Sequence, residues 1–361
     1  MTSVASRLSV WDRYLTVLIF AAMAAGVALG WAVPGIGAIV ERLSVGDVSI
    51  PVFAGLLAMM LPVFLKVRYE RMRAKALRPK VIALSLVLTW GVGPLVMYAL
   101  ASLLLADLPH YRTGLVLVGI APCIGMVLVW NMLARGDEEL AAFLVALNSV
   151  IQVVMFGALA WLYLTVLPRW QGQSGVAIDV SPWAIAKSVL LFLGLPLGLG
   201  YGVRRWLRAK KGETWYDESF VPKVGKIPLV GLLYTVVLLF AMQGEKIVAL
   251  PFDVVRIAIP LVAFFLITFL VGFFVARAFG LSYAETTALA FTGSSNNFEL
   301  AIAVAVAVYG VRSGEALAGT VGPMIEVPAL IALVRVALWL GTHVFHRPAA
   351  PVGARSIVHR R

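Results

Sequence analysis

The sequence predicts an all-α polytopic membrane protein, and three observations carry that prediction. Of its 361 residues, 61% are hydrophobic and 13% charged, and the mean hydropathy is +0.95, outside the range of soluble domains. Ten apolar segments are long enough to cross a bilayer, at 14–33, 50–66, 80–106, 111–134, 139–166, 183–205, 227–248, 254–280, 284–311 and 317–345. The basic residues gather between these segments rather than within them. With no water in the bilayer core, a spanning segment must satisfy its own backbone groups, so each is expected to be helical.

The net charge of +12 would raise the question of nucleic acid in a soluble protein, but here it sits in short loops and reads as a topology signal, with no nucleic-acid partner expected. Ten is even, so both termini share a side. The tails and the loops after spans two, four, six and eight hold 22 Lys and Arg; the opposite set holds 7, and Arg335 lies inside span ten. Both termini are therefore expected in the cytoplasm, with the chain multi-pass in the cell membrane. The two dense clusters, Lys66 to Lys80 and Arg204 to Lys226, would also suit anionic lipid headgroups, but are read as orientation signals. Leu15 to Val33 is long enough to span and lacks a small-residue cleavage site, so no cleaved signal peptide is expected. One cysteine excludes an intrachain disulfide, and no Cys/His pattern calls for a metal. No cofactor is expected.

The sequence repeats weakly. Ala134-Arg-Gly-Asp-Glu-Glu-Leu-Ala141 matches Val311-Arg-Ser-Gly-Glu-Ala-Leu-Ala318 at an offset of 177, Gly55-Leu-Leu matches Gly231-Leu-Leu at 176, and Ile151-Gln-Val matches Ile325-Glu-Val at 174. Five spans per half is odd, so residues 1–170 and 171–361 are expected as two inverted five-helix repeats of a single membrane domain, with binding at the repeat interface as in many secondary transporters.

Span nine carries the densest polar run, Phe291-Thr-Gly-Ser-Ser-Asn-Asn-Phe-Glu-Leu-Ala-Ile-Ala303. An unpaired polar group at membrane depth costs roughly 2–7 kcal/mol, so these residues are expected to line a protected cavity. Gly293, Ser294 and Ser295, followed by Asn296 and Asn297, are poor helix, which predicts a break at 293–297 whose free backbone faces a ligand. The competing reading makes the small residues packing and the amides interhelical glue, but packing does not require Glu299. The repeat then predicts a break in span four. Shifting 299 back by 177 lands on Pro122, in Gly119-Ile-Ala-Pro-Cys-Ile-Gly125, where proline removes a helix bond and glycines loosen the turn. Pro122 and Gly125 are the helix-breaking candidates there. Two broken helices crossing at mid-membrane would bring Cys123 within reach of Asn296, Asn297 and Glu299.

A lone buried cysteine is ordinarily an inert small hydrophobe. Directly after a helix-breaking proline, however, Cys123 would present its sulfur to the cavity, and one accessible thiol suits a thiophilic solute that must also be released. Glu299 is one candidate proton carrier, and Glu326, in Val321-Gly-Pro-Met-Ile-Glu-Val-Pro328, is a second. Its two flanking prolines predict irregular backbone, and a structural reading would bond its carboxyl to the free N–H groups. Asn131 and Asn148 read as helix glue, and Arg335 as a residue that snorkels to the interface.

Several of these stretches resemble the Acr-type arsenite efflux permeases of the bile acid, arsenite and riboflavin transporter superfamily. The most specific are Gly55-Leu-Leu-Ala-Met-Met-Leu-Pro62 with Lys66-Val-Arg-Tyr-Glu70, Cys123-Ile-Gly-Met-Val-Leu-Val-Trp-Asn131 with Gly136-Asp137, Ser295-Asn-Asn-Phe-Glu-Leu-Ala-Ile-Ala303, and Gly322-Pro323 with Glu326-Val-Pro328. The resemblance covers nearly the whole chain. It implies ten spans, cytoplasmic termini, a panel of spans one, two, six and seven, and a core of the other six. It also implies proton-coupled arsenite efflux, with antimonite as a poorer substrate, and a required cysteine and glutamate at Cys123 and Glu299. Pro122 stands where the family often has arginine, Met132 where aspartate often follows the asparagine, and Gly293-Ser294 where two alanines are frequent.

Three rivals carry less. A sodium-coupled organic-anion symporter of the same superfamily would use the Asn, Ser, Thr and Glu oxygens as sodium ligands but leaves Cys123 without a role. A channel is disfavoured by broken helices in inverted halves. An enzyme is not expected, since no His/Glu metal pair or serine dyad lies within the spans.

Overall fold

A computed structural model of the chain describes residues 10–33, 35–46, 48–66, 79–172, 182–225 and 227–345. The expectations for the two termini, for most of the Lys66 to Lys80 cluster and for Lys226 fall on residues outside these.

The regular structure of the described residues is helical apart from a two-residue-per-strand hairpin, β1 (Ser44–Val45) with β2 (Val48–Ser49). In order the helices are α1 (Val10–Ala32), α2 (Ile36–Arg42), α3 (Ile50–Lys66), α4 (Pro79–Leu104), α5 (Pro109–Gly119), α6 (Val127–Leu133), α7 (Glu138–Trp170), α8 (Trp183–Lys211), α9 (Ile227–Ala249), α10 (Pro251–Ala278), α11 (Tyr283–Ser294), α12 (Phe298–Tyr309) and α13 (Gly314–His343). A run of short helical turns, Glu213–Trp215, Tyr216–Phe220 and Val221–Val224, leads into α9. Among the described residues, α4, α7, α8, α10, α13 and the run that ends in α9 are long and apolar enough to cross a membrane. The chain is thus an all-α polytopic membrane protein. The apolar α1 and α2 meet at a bend of 94°, and α3 and α12 are shorter apolar helices.

Two groups of helices organise the fold. In the first, α9 packs along α1 and α3, and α3 also packs on α8. Apolar helices in lipid gain little from burying more apolar surface, so close backbone approach through small residues holds them together. A Cβ placed on Gly30 of α1 would lie 2.2 Å from the Ala241 carbonyl oxygen, and one on Gly231 of α9 would lie 2.6 Å from the Met59 nitrogen of α3. In the second group α10 is the backbone. Its residues Phe265, Phe269 and Phe273 recur every four positions, so they share one face. Phe269 meets Phe291 of α11 with ring centroids 5.0 Å apart, and Phe265 meets Phe298 of α12 at 6.4 Å. One aromatic face therefore holds the halves on both sides of the break at 295–297. α13 packs against α5, α10 and α12.

One backbone expectation is overturned. The chain around Glu326 is regular: α13 runs unbroken for 30 residues through both Pro323 and Pro328. Each proline removes one backbone bond, and the packing of α13 along α5, α10 and α12 offsets that loss over the length of the helix.

Candidate functional site

Two of the interruptions between helices meet each other. α5 ends at Gly119 and α6 begins at Val127; α11 ends at Ser294 and α12 begins at Phe298. Between them Pro122 and Asn296 form an isolated antiparallel bridge. The Cys123 N–H donates to the Ser295 carbonyl at 2.9 Å and the Asn297 N–H to the Ala121 carbonyl at 2.7 Å. Each break thus satisfies the backbone groups that the other exposes, which is what membrane depth demands of non-helical chain.

The asparagines finish the junction. Asn296 donates through Nδ2 to the Val118 carbonyl at 2.8 Å, near the end of α5. Asn297 caps α12, its Oδ1 accepting from the Leu300 N–H at 3.1 Å. One polar atom of each amide remains over: Asn296 Oδ1 and Asn297 Nδ2 are buried without a hydrogen-bond partner.

These residues border a cavity of about 380 Å³ between the junction and the α3/α9 pair. Cys123, Gly125, Asn296, Asn297, Glu299 and Glu326 all line it. Cys123 is buried, 6% exposed. Glu299 lies in the first turn of α12 and is half-buried. Glu326 is 4% exposed, and its Oε1 accepts from the Asn296 N–H at 3.4 Å. That contact is the structural role weighed for Glu326, though its carboxyl still borders the cavity.

Pro122, bridged to Asn296, and Ser295, whose carbonyl accepts from the Cys123 N–H, do not themselves line the cavity. Gly293 and Ser294 are not in the break. Both belong to the last turn of α11, which Ser294 extends by donating its hydroxyl to the Phe291 carbonyl at 3.4 Å; the extended residue is Ser295, with ψ 142°. Asn148 fits the interhelical reading, accepting from Trp90 Nε1 at 3.0 Å. Asn131 is fully buried, its amide enclosed where Gly136 leaves room, since a Cβ there would lie 1.8 Å from Oδ1. Arg335 is exposed on α13. Among the described residues no group of three His, Cys, Asp or Glu could hold a metal ion.

Sequence reasoning passed over the opposite wall. Met59, Met60, Val63 and Lys66 of α3 and Pro228, Leu229 and Leu232 of α9 line the cavity from there, and Met126 of the first break lines it beside Cys123. The available signal was the match of Gly55-Leu-Leu to Gly231-Leu-Leu: the matched stretches pack on one another, since a Cβ on Gly55 would meet Thr235 Oγ1 at 2.4 Å and one on Gly231 would meet α3 in return.

The geometry has relatives. The chain is 47% identical to the arsenical-resistance protein Acr3 of Corynebacterium glutamicum over 352 residues, covering 97% of this chain and 95% of that one. This chain belongs to the Acr3 family. It is also 32% identical to the Acr3 protein of Alkaliphilus metalliredigens, over 91% of this chain and 92% of that protein. An uncharacterised transporter of Synechocystis is 34% identical over 91% of this chain and 88% of its own length. Residues 53–250 match the model of the Sodium Bile acid symporter family, a stretch that begins in α3, includes the first break and ends after α9. As an Acr3-family chain with six or more membrane-length helices, the protein is a multi-pass arsenical-resistance transporter.

Proposed function

We propose that the protein exports arsenite, and antimonite less well, from the cytoplasm across the cell membrane in exchange for protons. The observation that carries this reading is the single thiol, Cys123, placed in a cavity beside two amides with unused hydrogen-bonding atoms and two carboxyls. Arsenite near neutral pH is an uncharged trihydroxide, so charge attraction cannot select it. The sulfur can: it displaces one hydroxyl from arsenic, forming one arsenic–sulfur bond, and that hydroxyl leaves as water with the thiol proton. A buried polar atom without a partner costs about 1–3 kcal/mol, and the remaining arsenic hydroxyls can donate to Asn296 Oδ1 and accept from Asn297 Nδ2. Hydrolysis of the single bond releases the cargo. Glu299, half-buried and less engaged than Glu326, is the assigned proton carrier, with Glu326 the second candidate.

The halves 1–170 and 171–361 are read as inverted repeats of five spans each, with spans four and nine broken and both termini cytoplasmic. The junction supports this, since its reciprocal bonds join Ala121 to Asn297 and Cys123 to Ser295, 176 and 172 residues apart about the Pro122–Asn296 bridge, near the offsets of 174 to 177 in the sequence repeat. A cytoplasm-only reporter fused near Arg208 should be active and one fused at residue 173 inactive; activity at both would remove the ten-span arrangement.

The coupling test uses inside-out vesicles. Arsenite uptake should follow an acidic lumen and ignore a sodium gradient. Uptake driven by sodium alone would instead favour the organic-anion symporter reading.

A further inference from the structure

We propose that Met59, Met60 and Met126 form a thioether wall that tunes the cavity towards the softer metalloid, antimonite, a proposal that rests on the transport reading above. Three of the 18 residues lining the cavity are methionine, whereas 11 in 361 for the chain would place fewer than one there. They come from both sides of the cavity: Met59 and Met60 from α3, and Met126 from the break that carries Cys123. A solute bonded to Cys123 is therefore enclosed by sulfur as well as by amide and carboxyl.

Thioether sulfur is polarisable, a weak hydrogen-bond acceptor and a soft donor, so it offers little to a hydroxyl and more to a large, polarisable centre. Trivalent antimony is larger and softer than trivalent arsenic and carries a vacant coordination position opposite its oxygen ligands. The amides recognise the hydroxyls common to both solutes and cannot separate them. The methionines can, because their contact is to the metalloid atom itself. Methionine also fills irregular space, and a packing role alone would be served equally by leucine, which has nearly the same volume and no sulfur.

The test is Met59→Leu, Met60→Leu and Met126→Leu, singly and combined, with initial rates of antimonite and arsenite uptake measured in inside-out vesicles under one proton gradient. The expected result is a fall of about fivefold in the antimonite-to-arsenite rate ratio for the combined variant, with smaller falls for the singles. An unchanged ratio, or an equal loss of both rates, overturns the thioether role. If the combined variant fails to insert, the singles decide by the same ratio. Should the unaltered protein move neither metalloid, the transport reading itself falls, and this inference with it, before any methionine is changed.

Discussion

The two ends of α9 are held differently. At the Lys66 end, hydrogen bonds tie α3 to its own group: the Leu65 carbonyl accepts from Arg204 Nη1 at 3.2 Å and from the Tyr216 hydroxyl at 2.9 Å, and Lys66 Nζ donates to the Gly225 carbonyl at 3.5 Å. The cavity lies beside them, with the exposed Lys66 at its margin. At the other end α9 is fastened across to the second group. Gln243 Nε2 donates to the Val311 carbonyl at 2.5 Å and Lys246 Nζ donates to the Arg312 carbonyl, in the turn between α12 and α13. That group is itself laced there by His110 to Glu315 at 2.8 Å and the Tyr111 hydroxyl to Asp253 at 2.7 Å. The two groups are thus parted at one end and clasped at the other. We propose that this asymmetry is that of one state in alternating access, with the cavity towards the side proposed as cytoplasmic.

The largest expected effect comes from removing what the cavity holds. Cys123→Ser should abolish arsenite uptake into vesicles while the protein still inserts, because a hydroxyl does not form the soft bond. Full resistance in cells carrying this variant would separate the cavity from transport. Next is Glu299→Gln, which keeps the shape and hydrogen bonding of a neutral acid and cannot exchange a proton. Gradient-driven uptake should fall to background while arsenite still protects Cys123 from alkylation; unimpaired uptake would transfer the carrier role to Glu326.

The clasp is sharpened by Gln243→Ala with Lys246→Ala. A charge-assisted bond and a neutral one together favour the observed state by about 2–4 kcal/mol, so their loss should raise the opposite state at least tenfold. Since Cys123 is the chain's single cysteine, an impermeant maleimide reports this directly. Labelling in inside-out vesicles should predominate for the unaltered protein, and labelling in right-side-out cells should rise in the double variant. Equal labelling in both proteins would make the clasp incidental. The smallest effect concerns the exposed pair of Asp107, in the turn before α5, and Arg256 of α10, 2.5 Å apart. Arg256 holds the Asp107 carboxyl below its usual range, so any stability it lends is present above the unfolded value of about 3.9 and is lost as pH falls through the lower folded value. Asp107→Asn should leave transport at neutral pH unchanged and melting nearly so, since solvent screens such pairs.

Much of the site was legible because membrane depth makes polarity conspicuous. Pro122 and the Ser295-Asn296-Asn297 run stood out as residues that lipid-facing helix does not tolerate, and the repeat paired one break with the other. Register was harder. Gly293 and Ser294 read as breakers by propensity, yet α11, packed through Phe291 on the phenylalanine face of α10, stays helical for these two residues, and Pro323 and Pro328 sit in an α13 that packs along α5, α10 and α12. Local propensity amounts to about 1–3 kcal/mol per residue, and clamping by neighbours overrides it.

The sequence by itself determined the membrane class, the helical segments, the two polar interruptions and the lone thiol, since each follows from the cost of placing polar groups in lipid. Only the tertiary structure decided which atoms are left over. That Asn296 spends its Nδ2 on Val118 and Asn297 its Oδ1 on Leu300, leaving one acceptor and one donor for a solute, depends on how two breaks cross. That Met59 and Met60 face Cys123's cavity depends on how glycines let α3 and α9 approach. A methionine in an apolar helix carries no signal of its own, because lipid, core and cavity accept it equally; only packing between distant segments distinguishes them.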